Sequence, residues 1–211
     1  LGAAATMDQL GEFVSDRAKA TATTQMLARM LESVEKEKLN CGVSLKLTSL
    51  GLDIDDEFCY SNLRATVEQA RVRKRFVRID MENSPYTSRT LGLFKRLRQD
   101  GFENTGVVLQ AYMRRSLADL TELLPLRPSI RLCKGIYVED KAIAFKDPHE
   151  VRENYKRLLM FLFENKLHPA IATHDELLIE FACAYIARNN IAKDEYEFQM
   201  LLGVRDARRA E

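Results

Sequence analysis

The chain has 211 residues, 46% of them hydrophobic and 30% charged, with 32 Lys and Arg against 31 Asp and Glu for a formal net charge of +1. That composition supports an ordinary buried core and sets a prior of one large or two small domains. It lacks the basic excess of a dedicated nucleic-acid binder, no apolar run reaches the ~18 residues of a membrane span, and the opening residues do not read as a signal peptide.

In chain order, the first β-rich run is at 3–8. A helical pattern follows at 25–38, with Met26, Leu27, Met30, Leu31 and Val34 on one face. Further β-rich runs lie at 42–48, 76–82, 106–112 and 129–135, with helically spaced segments between them. A helix is expected at 151–165, where Leu158, Leu159, Phe161 and Leu162 share a face. A strand at 169–174, a helix at 177–188 and a strand at 196–201 come next, and the chain stops at 208–211 within an expected seventh helix. Gly42, Gly101, Gly106, Pro128 and Pro169 stand near the junctions, where turns belong.

Strand–helix alternation at ~30-residue spacing is the signature of βαβ units and a parallel sheet. Seven strands with no dinucleotide motif after the first point to an α/β fold, a (β/α)8 TIM-type barrel incomplete in this chain, with a doubly wound sheet as competitor. A complete barrel takes ~250 residues, so the chain reads as one βα unit short. No linker, low-complexity tract or internal repeat interrupts it.

Cys41, Cys59, Cys133 and Cys183 show no CxxC spacing and read as free thiols. His149, His168 and His174 do not pair with them at zinc-ligand spacing, so no metal is expected. The common nucleotide-loop, zincin and hydrolase signatures are absent.

Barrels keep their active sites at the C-terminal ends of the strands. There the sequence is polar: Lys46 and Thr48, then Asp80 and Glu82, then Gln110 and Tyr112, then Arg131 and Lys134, then Thr173 and His174, then Glu197 and Gln199. A charge inside a barrel is costly unless it is paired or binds a ligand. A Lys46–Asp80 ion pair with the rest solvated accounts for any one of these alone and poorly for six consecutive strands. Arg131 and Lys134 beside Gln110 and His174 suit an electron-rich or anionic ligand such as a flavin or a phosphate. The runs at 71–75, 114–115 and 205–209 read as surface cations, and Cys133 as packing.

At these strand ends the chain resembles the proline dehydrogenase family, flavin-dependent barrel enzymes, and most closely the bacterial monofunctional type. The resemblance rests on MDQLGE at 7–12, SLKLT at 44–48, IDME at 79–82, VLQAY at 108–112, RLCKGIY at 131–137, ATHD at 172–175 and EFQML at 197–201, in that order. It implies FAD-dependent oxidation of L-proline to Δ1-pyrroline-5-carboxylate, the first step of proline catabolism. Electrons would pass to a quinone, in the cytoplasm or peripherally at the inner face of the membrane, with no nucleic-acid partner.

The resemblance also implies roles. Lys46 would attract the proline carboxylate and Tyr137 would help wall its pocket. Asp80 and Arg131 would be the catalytic pair, Asp80 fixing arginines around proline and Arg131 standing beside the flavin N5. Gln110 and Lys134 would hydrogen-bond the flavin, while the backbone at Met81, Gly135 and Ile136 would approach it. Thr173 and His174 would hold the ribityl–diphosphate–adenosine part, and Gln199 would also contact the cofactor. Ile136 stands where the family commonly has alanine, and Asn83 where close relatives have an acidic residue. The family's last helix carries a tyrosine, two residues and paired arginines that clamp the substrate carboxylate. Neither Arg114–Arg115 nor Arg208–Arg209 fits that pattern. The expectation is therefore a single flavin-binding barrel domain over 1–211, truncated at its C-terminus and its N-terminus. The alternatives are a flavin- or ligand-binding barrel fragment without turnover and a Schiff-base lyase using Lys46.

Overall fold

The computed structural model describes residues 3–210, so Glu211, the last residue of the expected seventh helix, lies outside the described residues. The chain divides into two compact units, Leu1–Val107 and Val108–Glu211, with the division inside the fourth strand.

The first unit runs β1 (Ala5–Asp8), α1 (Arg17–Lys36), β2 (Cys41–Leu45), a 3-10 turn (Leu47–Leu50), α2 (Asp56–Val72), β3 (Val77–Ile79), α3 (Ser84–Gln99) and the start of β4 (Thr105–Gln110). Its strands pair parallel, with Met7 opposite Val43, Val43 opposite Val77 and Ile79 opposite Val107. The second unit continues from β4 with α4 (Ser116–Leu123), a 3-10 turn (Leu124–Leu126), β5 (Ser129–Cys133), α5 (Pro148–Glu164), β6 (Pro169–Ala172), α6 (Glu176–Arg188), β7 (Glu197–Gln199) and α7 (Asp206–Ala210). Here too pairing is parallel, with Arg131 opposite Ala170 and Ala172 opposite Gln199. The strands follow sequence order, each with a helix after it, which is the α/β class of the (β/α)8 barrels. Among the described residues, no helix is long and apolar enough to cross a membrane.

In each unit the core is strand against helix. Val43, Leu45, Val77 and Ile79 are fully buried, as are Leu27, Leu31 and Val34 of α1 and Leu63 and Val67 of α2. Ile130, Leu132, Ala170 and Ile171 serve likewise in the second unit, with Leu158, Leu159 and Leu162 of α5. Each such Leu, Ile or Val contributes ~1.5–3 kcal/mol by leaving water.

The helices start and stop by sequence-encoded devices. Asp16, Asp55 and Asp147 cap α1, α2 and α5, each accepting from backbone N–H groups of the first turn. Five helices end in one motif. Residues Lys38, Lys74, Gly101, Lys166 and Asn190 take positive φ. The next residue then donates back to the helix, from Leu39 to Val34, Arg75 to Ala70, Phe102 to Leu97, Leu167 to Leu162 and Ile191 to Ile186, at 2.8–3.1 Å. This is the Schellman arrangement, and it turns each helix toward its next strand.

Two elements differ from expectation in extent. The strand read at 42–48 stops at Leu45, because Leu47–Leu50 winds into a 3-10 turn with Lys46 as its N-cap. The first helix begins at Arg17, eight residues before the apolar periodicity starts at 25, because the Asp16 cap nucleates a first stretch that carries few large apolar side chains.

Candidate functional site

The strands are short, and most of the predicted site residues lie just past their ends, on the turns toward the following helices. In the first unit, Lys46 leaves β2 in extended conformation (φ −107°, ψ 135°). Its carbonyl is taken by the Ser49 hydroxyl at 2.6 Å and the Ser49 N–H at 3.1 Å, which fixes the turn. The Lys46 ammonium then sits between two carboxylates, 3.3 Å from Asp8 Oδ2 and 3.9 Å from Asp80 Oδ2. The Lys46 and Asp80 side chains are mostly buried, at 19% and 17% exposure. Asp80 is itself positioned: its N–H donates to Leu45 O at 2.8 Å, and its Oδ1 accepts from the Ser44 hydroxyl at 2.9 Å. Three strand ends are thereby joined. The Lys46–Asp80 pair matches the sequence reading; Asp8 was given no role there, although it stands in the first motif and ends β1.

Behind this triad lies a buried carboxylate. Glu82, 1% exposed, accepts from the Thr48 N–H at 3.1 Å and from the Thr48 hydroxyl. Burial pushes its carboxyl above the usual range, against the Thr48 bonds that lower it, with Glu12 raising it and Lys46 lowering it. Thr48 also receives the Phe13 N–H on its hydroxyl at 2.9 Å and the Val14 N–H on its carbonyl at 3.1 Å. The segment after β1 is thus tied to the ends of β2 and β3. Met81, between Asp80 and Glu82, is buried.

In the second unit, Gln110 ends β4 at 4% exposure. Arg131 on β5 donates from Nε to Gln199 Oε1 on β7 at 2.6 Å, and Gln199 donates to Glu197 Oε1 at 2.5 Å. The guanidinium plane is therefore set by a partner two strands away. Thr173 is buried and receives the Asp175 N–H at 3.1 Å. His174 accepts the Leu201 N–H on Nε2 at 3.0 Å, which places the proton of the neutral ring on Nδ1. Arg205 donates to the His174 carbonyl at 2.7 Å, so this cation is engaged at the site's edge rather than merely solvated.

The turn after β5 carries the rest. Gly135 has φ 107°, and a Cβ built on it would stand 2.1 Å from the Tyr112 ring, so no other residue fits. Tyr112 is buried, and its hydroxyl is pushed up to about 12 by burial, with Glu139 and Cys133 adding to it. Ile136 is 87% exposed, and Tyr137 is half-buried. The Lys134 ammonium bonds Asp175 Oδ2 at 3.0 Å, and Arg152 Nε on α5 bonds the same oxygen at 2.8 Å. Burial raises the Asp175 carboxyl, but the Lys134 and Arg152 hydrogen bonds and charges together hold it below the usual range. A cavity of about 320 Å³ opens here, lined by Tyr112, Lys134, Tyr137, Phe145, Lys146 and Arg152 among others. The sequence pattern alone assigns Arg152 and Asp175 no role.

This donor set suits a flavin dinucleotide. Its ring carbonyls accept hydrogen bonds, its diphosphate is anionic and its rings are flat; the second unit offers Gln110, Arg131, Lys134, Thr173 and His174, with Tyr112 and Tyr137 beside the cationic cavity. Among the described residues no cluster of His, Cys, Asp and Glu has the makings of a metal site.

A family model described as proline dehydrogenase matches residues 1–211. Proline dehydrogenase 2 of Bacillus subtilis (strain 168) is 40% identical over 204 residues, 97% of this chain and 67% of that protein. The proline dehydrogenase of Deinococcus radiodurans is 35% identical over 208 residues, again 97% of this chain and 67% of that protein. Among solved structures, proline utilization A from Bdellovibrio bacteriovorus, inactivated by N-propargylglycine, superposes with a TM-score of 0.87 at 25% identity. That match covers 94% of this chain and 26% of the other.

Proposed function

The chain belongs to the proline dehydrogenase family, and on that premise we propose that it oxidises L-proline to Δ1-pyrroline-5-carboxylate with FAD as cofactor and a quinone as final acceptor. The reaction would be the first step of proline catabolism, carried out in the cytoplasm with a peripheral contact at the inner face of the membrane. Residues 1–211 are read as one flavin-binding barrel domain. The family likeness supports proline as substrate and a flavin as cofactor.

The observation that carries the reading is the Lys46 ammonium held between Asp8 and Asp80 at the ends of three successive strands. A fixed, mostly buried cation is what a small amino acid's carboxylate needs for orientation. Asp80, its Oδ1 held by the Ser44 hydroxyl, faces Lys46 with Oδ2 and would keep that ammonium in place. Tyr137 would help wall the proline pocket.

When bound, FAD would supply the two-electron acceptor that oxidation of proline requires. Gln110, Lys134, Thr173, His174 and Gln199, with the backbone at Met81, Gly135 and Ile136, would hold it. Arg131, its plane set by Gln199, would stand beside the flavin as a preorganised cation, and such preorganisation lowers a barrier without reorganisation cost. The test is product formation: the protein, FAD, a soluble quinone and L-proline, with the cyclic imine trapped by an aromatic aminoaldehyde. Imine formed from L-proline supports the proposal; none formed, with FAD bound, refutes it.

A further inference from the structure

Asp175 stands at the N-cap of α6, yet its carboxylate makes no capping bond to the helix. It is turned instead toward Lys134 and Arg152, which share Oδ2 at 3.0 and 2.8 Å. The Asp175 side chain is 7% exposed, against 42% for Lys134 and 30% for Arg152. A nearly buried anion thus holds two half-exposed cations, one from the turn after β5 and one from α5. All three line the same cavity of about 320 Å³. Arg152 spends Nε on Asp175, and its two terminal nitrogens have no protein partner among the described residues. The Lys134 ammonium has three donors, of which Asp175 takes one.

Resting on the flavin-dependent reading above, we propose that Asp175 is a positioning residue of the cofactor site, which holds Lys134 and Arg152 at the cavity wall so that their remaining donors meet the anionic part of FAD. Loose lysine and arginine side chains lose rotamer freedom on binding an anion; here the Asp175 tether removes part of that freedom beforehand. The walls fit the rest of such a ligand. Tyr112, Tyr137, Val138, Phe145 and Val151 are apolar or aromatic, and Lys146 adds a third cation against the one carboxylate.

The proposal has a sign that simple electrostatics reverses. Removing a carboxylate from an anion site should tighten anion binding. Removing a tether should weaken it. The experiment measures the FAD dissociation constant of the purified chain by flavin fluorescence for wild type, Asp175→Asn, Lys134→Met and the double variant, with thermal melts to establish that each is folded. Arg152→Met is measured beside them, as a variant that leaves the Asp175–Lys134 bond intact. Asp175→Asn is expected to weaken FAD binding by about 10-fold, and Arg152→Met by less. In the Lys134→Met background, Asp175→Asn is expected to add little, because it acts largely through that lysine. Unchanged or tighter binding in folded Asp175→Asn overturns the proposal. An equal loss from Asp175→Asn with and without Lys134 also overturns it, since that marks a purely structural role. A wild-type chain that binds no FAD overturns the flavin-dependent reading, and the proposal with it.

Discussion

Thr48 gives Glu82 both its backbone N–H, at 3.1 Å, and its hydroxyl. One turn residue therefore satisfies a buried carboxylate, and the same residue anchors Phe13 and Val14. Because burial raises the Glu82 carboxyl above its ordinary value of 4.5, the folded chain binds this proton more tightly than the unfolded chain does. Its contribution to stability is then fully present below the unfolded value and is lost as pH rises through the folded one. Glu82→Gln removes that dependence. The difference in melting temperature between variant and wild type should move in the variant's favour from about pH 4 to pH 7. A constant difference across that range would contradict the assignment.

The shared helix ending makes a stability prediction. Lys74 is exposed and holds φ 55° at the end of α2, where Gly101 does the same work after α3 at φ 83°. A residue with a Cβ costs ~1–2 kcal/mol there, partly offset in glycine by a more disordered unfolded chain. Lys74→Gly should therefore raise stability by up to about 1 kcal/mol, and Gly101→Ala should lower it by a similar amount. Denaturant midpoints at unchanged slope are the readout.

Gly135 and Gly92 should respond oppositely to alanine. At Gly135, φ is 107° and the new Cβ meets the Tyr112 ring at 2.1 Å. The expected loss is about 2 kcal/mol or more, a fall of roughly 5 °C, together with weaker FAD binding. At Gly92, exposed within α3, nothing lies within 4 Å of the added Cβ. There alanine should gain roughly 0.5–1 kcal/mol from helix propensity.

Lys46→Met tests the substrate contact. Losing a charge-assisted bond costs ~1.5–3 kcal/mol, so KM for L-proline should rise about 10- to 100-fold. FAD affinity should stay near the wild-type value, because Lys46 is assigned to substrate. Steady-state kinetics with a flavin titration separates the two.

Most of the architecture is legible in the sequence because the βα repeat writes itself as short β-rich runs between amphipathic helices. All seven strands lie within one residue of the runs read for them. What failed was extent. Alternation at 42–48 looks like strand throughout, but over so short an apolar run a period of two and a 3-10 turn cannot be told apart, and Leu47 is buried either way. The Lys46–Asp80 pairing was legible because both polar groups fall just past the ends of neighbouring strands. The site was illegible where the partner sits on a helix. Arg152 on α5 meets Asp175 only because the fold brings α5 beside the residue that precedes α6, a juxtaposition no spacing in the sequence marks.

The most direct test is the visible spectrum of the FAD-loaded chain, without oxygen, before and after L-proline. The account predicts flavin bands that bleach with L-proline and persist with D-proline. Bands that remain unchanged with both would contradict it.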